Sequence, residues 1–579
     1  MQTGIFGSGF DSFARRAGLL SVILLLSSAS PTNLLGQDVG SSSGSVFHIH
    51  GVVLNALTNK PVGRVLVTSM EMGAMTDSEG RFEFVVRLSI DNSADGAALR
   101  SRLGAPGGGG GFPMALIARR PGYLTMQRPT MLLLRDKSPE VPELKVKIMP
   151  ESILSGRLAT STGAPPMGVQ VQLFRKQVQD GLANWVQVAF AQTNSRGEYR
   201  FADLPAGDYK VMTREWVENE SILPVSPRQM TGYPPAYYPN ETNLAKATPI
   251  HIAAGETAQA DLNLRAQPYY QVSIPVVNIP HGPGVNVTVG EEDGSSGFSL
   301  RFNAQTQKIE GMLPNGAYDL RVMSFGDVQS SGEGRIEIAG APLQGAPISM
   351  VTSEVIPVVV REEYTSDSGA GTREGVVFSR IGNGRPRSLE LMLQPDGTNG
   401  PTAGLRNPTG KGNEDLVVAN AREGKYRVWV MPNRGYVASA TSGGVDLLHK
   451  PLVVGAGGAS APIEITLRDD TATLDGTVSP IPPTGGESDW YGGVFVFCCP
   501  IESEFGRPVQ GFAGADGKFS IQNLPPGRYL VLAFPTPNQN LEYRNEEVLR
   551  QYESKGTIVT LQAGQKAEVK VSVLTEDEE

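Results

Sequence analysis

The stretch that decides the fold is Ser195-Arg-Gly-Glu-Tyr-Arg-Phe-Ala-Asp-Leu-Pro-Ala-Gly-Asp-Tyr-Lys-Val211, which returns as Ala515-Asp-Gly-Lys-Phe-Ser-Ile-Gln-Asn-Leu-Pro-Pro-Gly-Arg-Tyr-Leu-Val531. Each copy reads as turn, strand, tight corner, strand. Gly197 and Gly517 stand where the turn asks for positive φ. Tyr199/Phe201 and Phe519/Ile521 alternate with polar residues, the period-two mark of a half-buried strand. Leu-Pro-x-Gly then reverses the chain, and Tyr209/Val211 or Tyr529/Val531 open the next strand on one face.

Spacing around the two copies is constant up to the corner and variable after it. Gly156 to Tyr209 is 53 residues, as is Gly476 to Tyr529, and Gly197/Gly517, Leu204/Leu524 and Gly207/Gly527 share an offset of 320. The later pairs Ala254-Gly255 and Ala563-Gly564 differ by 309, so the earlier unit carries 11 extra residues beyond its corner. They fall in the region of Tyr233-Pro-Pro-Ala-Tyr-Tyr-Pro239, a proline-stiffened aromatic loop. A fixed hairpin with a variable loop describes copies of one fold with a decorated rim. Weaker copies lie between: Ile309-Glu-Gly-Met-Leu-Pro-Asn-Gly-Ala-Tyr318 keeps the corner, and Ala419-Asn-Ala-Arg-Glu-Gly-Lys-Tyr-Arg-Val428 keeps only Gly-x-Tyr-x-Val. Asp77-Ser-Glu-Gly-Arg-Phe-Glu-Phe84 is the shortest version.

These marks predict an all-β chain of tandem Ig-like β-sandwiches. The expected division is a signal peptide over 1–36, a linker over 37–45, and sandwiches over 46–150, 151–266, 267–367, 368–470 and 471–579. The first sandwich carries a Gly-rich insertion ending in Gly107-Gly-Gly-Gly-Gly111. Linkers are expected near Ala266–Pro268, Ser366–Thr372 and Arg468–Thr471. Chain length agrees: 579 residues is several domains of about 100–150 residues.

Arg15-Arg16 precede Leu19-Leu-Ser-Val-Ile-Leu-Leu-Leu26, an apolar core too short to span a bilayer and followed by small residues. This predicts Sec-type export to the periplasm, the cell surface or the medium, with no integral membrane segment in the mature chain. Net charge is −9 with the signs interspersed, which argues against a nucleic-acid groove. The two cysteines, Cys498-Cys499, are adjacent in Val494-Phe-Val-Phe-Cys-Cys-Pro500. Successive strand residues point to opposite faces, so the pair reads as inert packing.

The opening Ser-Gly-Arg-Leu158 and Asp-Gly-Thr-Val478, followed by the Gly-Glu-Tyr-Arg-Phe and Leu-Pro-Ala-Gly-Asp-Tyr hairpin, resemble the carboxypeptidase regulatory-like domain. That family is a transthyretin-like sandwich grouped with starch-binding-like folds. The likeness covers units two and five best and unit one in part, where Asp77-Ser-Glu-Gly-Arg-Phe82 and Arg120-Pro-Gly-Tyr123 match but the corner is missing. It implies a large exported repeat protein of bacterial type; in carboxypeptidases such a domain is an accessory to the catalytic one, so the resemblance does not imply peptidase activity.

The residues offer little chemistry. A zinc carboxypeptidase needs His-x-x-Glu with a further distant His, yet none of His48, His50, His251, His281 and His449 has Glu three residues on. His48-x-His50 supplies two ligands at most. Gly40-Ser-Ser-Ser-Gly44 matches a nucleophile elbow only in letters, without the strand and helix such an elbow needs. No catalytic residue, metal site or cofactor is expected. Sugar-binding sandwiches stack Trp or Tyr rings on pyranose faces, which nominates Tyr233, Tyr237 and Tyr238, and Trp490-Tyr491 in a second loop. Trp185 and Trp429, within strand patterns, are expected in cores.

The reading is therefore a secreted, non-catalytic multidomain protein, spacer and binding module at the cell surface or in the periplasm. Its expected partner is a polysaccharide or another surface protein. The alternatives are a carbohydrate-binding protein using the aromatic loops and a hydrolase with an unrecognised site in the middle sandwiches.

Overall fold

The computed structural model describes residues 45–574 except 70–71, 89–110, 127–128, 136–140, 142, 162, 164, 218–229, 281–283, 292–296, 325–329, 353–354, 366–388, 397–401, 407–415, 456–459, 482–492, 502–505, 515, 537 and 539. The expected signal peptide, the linker before Ser45, and Gly107–Gly110 lie outside the described residues.

The described chain is all-β, organised as tandem sandwiches, with one helix, Glu546–Glu553. Five hydrophobic cores follow one another along the sequence, spanning Phe47–Ile148, Leu154–Leu264, Val272–Met350, Ile356–Leu467 and Ala472–Val573. Each is built the same way. An opening strand pairs antiparallel with the first hairpin strand and parallel with a strand that closes the unit. The opening strands are Ser45–Asn55, Ser152–Thr160, Gln267–Val277, Ile356–Glu363 and Ala472–Ser479. Their antiparallel partners are Arg81–Leu88, Glu198–Leu204, Lys308–Pro314, Leu416–Ala419 and Lys518–Leu524. Their parallel partners include Leu144–Ile148, Leu262–Leu264, Leu343–Gln344, Ile463–Arg468 and Lys566–Ser572. The two units whose sequence signals fade thus keep the topology of the others.

Local chemistry repeats with the topology. The turn glycines Gly80, Gly197 and Gly517 have φ of 77°, 74° and 71°. Their carbonyls accept from Val53, Leu158 and Val478 of the opening strands at 2.8 Å each. A Cβ at Gly197 would stand 2.6 Å from the Leu158 carbonyl oxygen, so the approach itself requires glycine. Unit three does the same with Gln307, φ 56°, whose carbonyl accepts from Val276. At the corner, Tyr209, Tyr318 and Tyr529 are buried and donate to the carbonyls of Pro205 (2.5 Å), Pro314 (3.1 Å) and Pro525 (2.7 Å). In unit four, Tyr426 accepts from the Arg422 N–H at 3.1 Å across the same interval of four. Asp203, Asn420 and Asn523, four residues before the corner glycines, all take the left-handed conformation that Asx residues tolerate. The fading sequence of unit four is therefore a complete corner.

One expected boundary is displaced. The strand Ile356–Glu363 falls within the expected span of unit three, which ends at 367, but it belongs to the fourth core. Ile356 and Val358 are buried there, and the strand lies parallel to Ile463–Arg468. The polar run after it, expected as a linker, follows a strand of unit four. The expected linker at Ala266–Pro268 is also not a linker, because Gln267 already opens a strand three residues after Leu262–Leu264 ends. At Arg468–Thr471 three residues separate two strands, and they are pinned: Asp469 accepts from Thr365 N–H at 2.8 Å, and Asp470 from Tyr436 at 3.0 Å.

Cys498 and Cys499 are buried on opposite faces of their strand, Cys498 in the fifth core and Cys499 in a second cluster under the helix. Burial pushes the Cys498 thiol up to about 12 and raises Cys499 as well, so both are held as thiols rather than the reactive thiolate.

Candidate functional site at the junctions between sandwiches

The aromatic loop nominated from sequence turns inward. Tyr233 and Tyr237 are 1% exposed. Tyr233 stacks on Trp216 with centroids 5.4 Å apart and belongs to the second core, while Tyr237 covers Met212 on the outer sheet face with Ala247 and Leu244. Neither ring presents a face to a ligand, because the stiff loop is used as packing. Tyr238 is half-buried against the second core. Trp490 and Tyr491 lie outside the described residues. Trp185 and Trp429, expected in cores, are half-buried and each carries a cation: Lys210 Nζ is 4.7 Å from the Trp185 centroid, and Arg507 is 4.7 Å from that of Trp429. His48 Nδ1 is 3.8 Å from Glu83, and the described residues hold no group of three metal-ligating side chains.

What the loop builds is a strap. Trp216–Val217 pairs with Met230–Tyr233, and Met230–Gly232 pairs antiparallel with Gln267–Tyr269 of the next unit. Unit two thus extends the sheet of unit three. Glu215, at the base of the strap, accepts at Oε1 from the Ser299 N–H at 2.5 Å, while Oε2 is buried without a hydrogen-bond partner among the described residues. The Tyr269 hydroxyl is likewise buried without a partner among the described residues and feels the charge of Glu215. Burial raises the Glu215 carboxyl to about 7, against the lowering influence of Ser299 and Arg214.

A second junction is made of charge. Asp180-Gly181 is a two-residue turn with φ of 49° and 76°, joining Gln170–Gln179 to Leu182–Gln192, as an Asp-Gly pair does between antiparallel strands. Its tip reaches units four and five. Asp180 accepts from Arg427 and, at 2.9 Å, from the Tyr543 hydroxyl. Arg507 is 3.0 Å away and Arg544 3.9 Å, and Arg427 and Arg544 also approach Asp396 at 3.5 and 3.9 Å. Burial works to raise the Asp180 carboxyl, but Arg427 and Arg507 outweigh it and hold it below the usual carboxylate range. A Cβ on Gly181 would lie 2.6 Å from the Tyr543 ring, so glycine lets the ring seat against the turn.

The third junction is a cleft of about 520 Å³ between units one and two. Arg64, Arg119 and Arg120 line it with Leu66 and Met75. The Asp203 N–H donates to Glu151 at 2.7 Å, and the Thr125 N–H donates to Asp203 at 2.7 Å. The two carboxylates of the cleft are thus already engaged by backbone.

No family model matches the chain, and no curated protein matches it. Among solved structures, the chain is similar to the Bacillus anthracis TIE protein, at 12% identity over 92% of this chain and 68% of that one, with a TM-score of 0.13. It is also similar to GBS52, the minor pilin of Streptococcus agalactiae, at 15% identity over 36% of this chain and 99% of that one, TM-score 0.18. BcpA, the major pilin subunit of Bacillus cereus, aligns at 11% identity over 73% of this chain and 99% of that one, TM-score 0.12. Among the described residues, no helix is long and apolar enough to cross a membrane.

Proposed function

We propose that this chain is an exported, non-catalytic scaffold at the cell surface or in the periplasm, whose sandwiches hold binding faces in fixed relation. The observation that carries the reading is the Asp180 turn, where one side chain of unit two ties Arg427 of unit four to Arg507, Tyr543 and Arg544 of unit five. A spacer of independent beads has no use for such a contact, and a scaffold of set geometry does. The export segment read at Leu19–Leu26 supports the address, and the five-fold topology supports the repeat character.

Small-angle X-ray scattering of the mature protein, with fractionation of cells making it, tests this. The expected result is the scattering of one stiff particle outside the cytoplasm, with greater maximum dimension in Asp180→Ala. Scattering of a flexible string, retention in the cytoplasm, or hydrolysis of peptide or glycan panels above a heat-killed control would overturn it. A carbohydrate-binding role would fall to Trp490 and Tyr491, since Tyr233 and Tyr237 are spent on packing. A glycan array with Trp490→Ala checks that role.

A further inference from the structure

The outer faces of three equivalent sheets are treated differently. In unit two, the outward Phe174 and Met212 are covered by Tyr237, Leu244 and Ala247, which lie beyond the corner in the chain. In unit five, the outward Phe497, Leu530 and Phe534 are covered by Leu541 and by Leu549 and Tyr552 of the helix. The sequence of unit one has no Leu-Pro-x-Gly-x-Tyr corner, and among its described residues no segment packs on the corresponding face as those of units two and five do. Its strand Gly111–Arg119 runs straight into the Arg120–Tyr123 turn. The corresponding face keeps Leu66, Met75 and Ile117 exposed by 42%, 60% and 39%. Leu66 stands opposite Met75 on one side and Arg119 on the other, so the apolar row ends on a guanidinium.

The cleft between units one and two lies on this face. Arg64 enters it from a left-handed backbone, φ 57°, held by its N–H to the Thr76 carbonyl at 3.1 Å. An arginine has no intrinsic preference for that conformation, and such residues mark built positions. The side chains of Arg64 and Arg119 make no ion pair among the described residues, and Arg120 lies over the Tyr123 ring at 5.7 Å. Three guanidiniums thus face a cleft whose two carboxylates already accept from backbone N–H groups.

We infer that this face binds an extended acidic peptide segment of a partner protein, with aliphatic side chains alternating with its carboxylates. Arginine forks suit carboxylates. Methionine and leucine suit aliphatic side chains, and methionine adapts to several. Among the described residues the strand Met72–Met75 is the edge of its sheet and offers backbone groups to an added strand. A sugar is the poorer fit, because among the described residues Tyr123 is the only aromatic ring lining the cleft, and Arg120 lies over it. In units two and five the chain's own downstream segment covers the equivalent face, and in unit one a partner supplies the cover.

This inference deepens the scaffold reading and rests on its premise that the chain binds, but its test reads binding alone and leaves the scattering test untouched. Fluorescence anisotropy of the full mature chain would use a fluorescein-labelled hexapeptide alternating glutamate with leucine. Comparators are the glutamine counterpart and an oligogalacturonate. The acidic peptide is expected to bind, with affinity falling as salt rises. Arg64→Gln with Arg119→Gln should weaken it about tenfold or more, since each removes a charge-assisted contact. Leu66→Ser with Met75→Ser should weaken it separately. All four side chains are exposed, so the thermal melt should not move, which distinguishes lost binding from lost folding. No binding, equal binding of the glutamine peptide, insensitivity to the arginine pair, or tighter binding of the oligogalacturonate would overturn the proposal. Self-association abolished by the same variants would assign the face to a second copy and would also overturn it.

Discussion

Unit two meets its neighbours in two opposite ways. Toward unit three it extends a backbone strap, Trp216–Val217 and Met230–Tyr233, that joins the next sheet directly. Toward units four and five it offers a single carboxylate, Asp180, to arginines 247 and more residues away. The strap is built from main-chain hydrogen bonds. The charge junction has almost no backbone in it beyond Arg544 N–H to the Gly181 carbonyl at 3.1 Å. Neighbouring units can be joined by extending a sheet, whereas units distant in sequence are held by matched side chains.

The largest effect is expected from Asp180→Ala, which breaks the second junction and spares the first. Asp180 and Arg427 are 13% and 12% exposed, so removing the carboxylate leaves guanidiniums facing one another with little water between. Stripping one partner from a buried ion pair costs about 3–5 kcal/mol. Denaturant unfolding should then show unit five separating as an early transition, followed by Tyr543 fluorescence. Asp180→Ala combined with Arg427→Met should recover part of the loss, because the stranded charge goes with its partner. A single unaltered transition in Asp180→Ala would show that the arginines reach water and that the junction is decorative.

A smaller effect sharpens the contrast from the strap side. Glu215 is a carboxyl whose folded pKa, about 7, lies above its usual value of 4.5. Between those two values the unfolded chain releases the proton while the folded chain keeps it. Stability therefore falls as pH rises from about 4.5 to about 7 and levels off above, a loss of roughly 1–3 kcal/mol by linkage. Asp180 runs the other way. Its folded pKa is depressed, so its contribution is present above the unfolded value of 3.8 and is lost as pH falls through the folded one. Glu215→Gln should flatten the slope between pH 4.5 and 7 without touching the acid limb. Melting curves across that range check both signs, and an unchanged slope in Glu215→Gln would mean that Oε2 is solvated.

The sequence disclosed what is local and concealed what is long-range. The corner could be read because Leu-Pro-x-Gly-x-Tyr closes within a few residues, and Tyr209, Tyr318 and Tyr529 brace it as that spacing implies. Unit four concealed its corner because Asn420-Ala421-Arg422 does with a backbone N–H what Leu-Pro does with a carbonyl. Gln307 hid a turn for a similar reason, holding a φ of 56° without glycine. Asp180-Gly181 could be read as a hairpin tip, but its partners at Arg427, Arg507 and Tyr543 lie beyond any sequence window. Tyr233-Pro-Pro-Ala-Tyr237 misled more deeply. Rigid rings in a loop look the same whether they await a ligand or pack on a sheet, and only burial separates the two. The polar run after residue 365 looked like a boundary because composition reports solvent exposure, not which core the preceding strand fills.

The smallest effect concerns the corner itself, which both kinds of junction presuppose. Tyr209→Phe and Tyr529→Phe remove the same hydroxyl from copies of one motif and leave the Pro205 or Pro525 carbonyl without that donor. Each should cost about 1 kcal/mol, the net value of one intramolecular hydrogen bond. The two differ in the chain downstream. After Tyr209 the chain goes on to the strap, and after Tyr529 it returns as the helix Glu546–Glu553 over its own sheet. If the corner is only a folding element, both variants lower unit stability equally in thermal melts and leave scattering unchanged. If the corner aims the downstream chain, Tyr209→Phe alone should loosen the contact between units two and three, seen as faster amide exchange in Met230–Tyr233. Equal exchange in both variants would confine the corner to its own sandwich and leave junction geometry to Glu215 and Asp180.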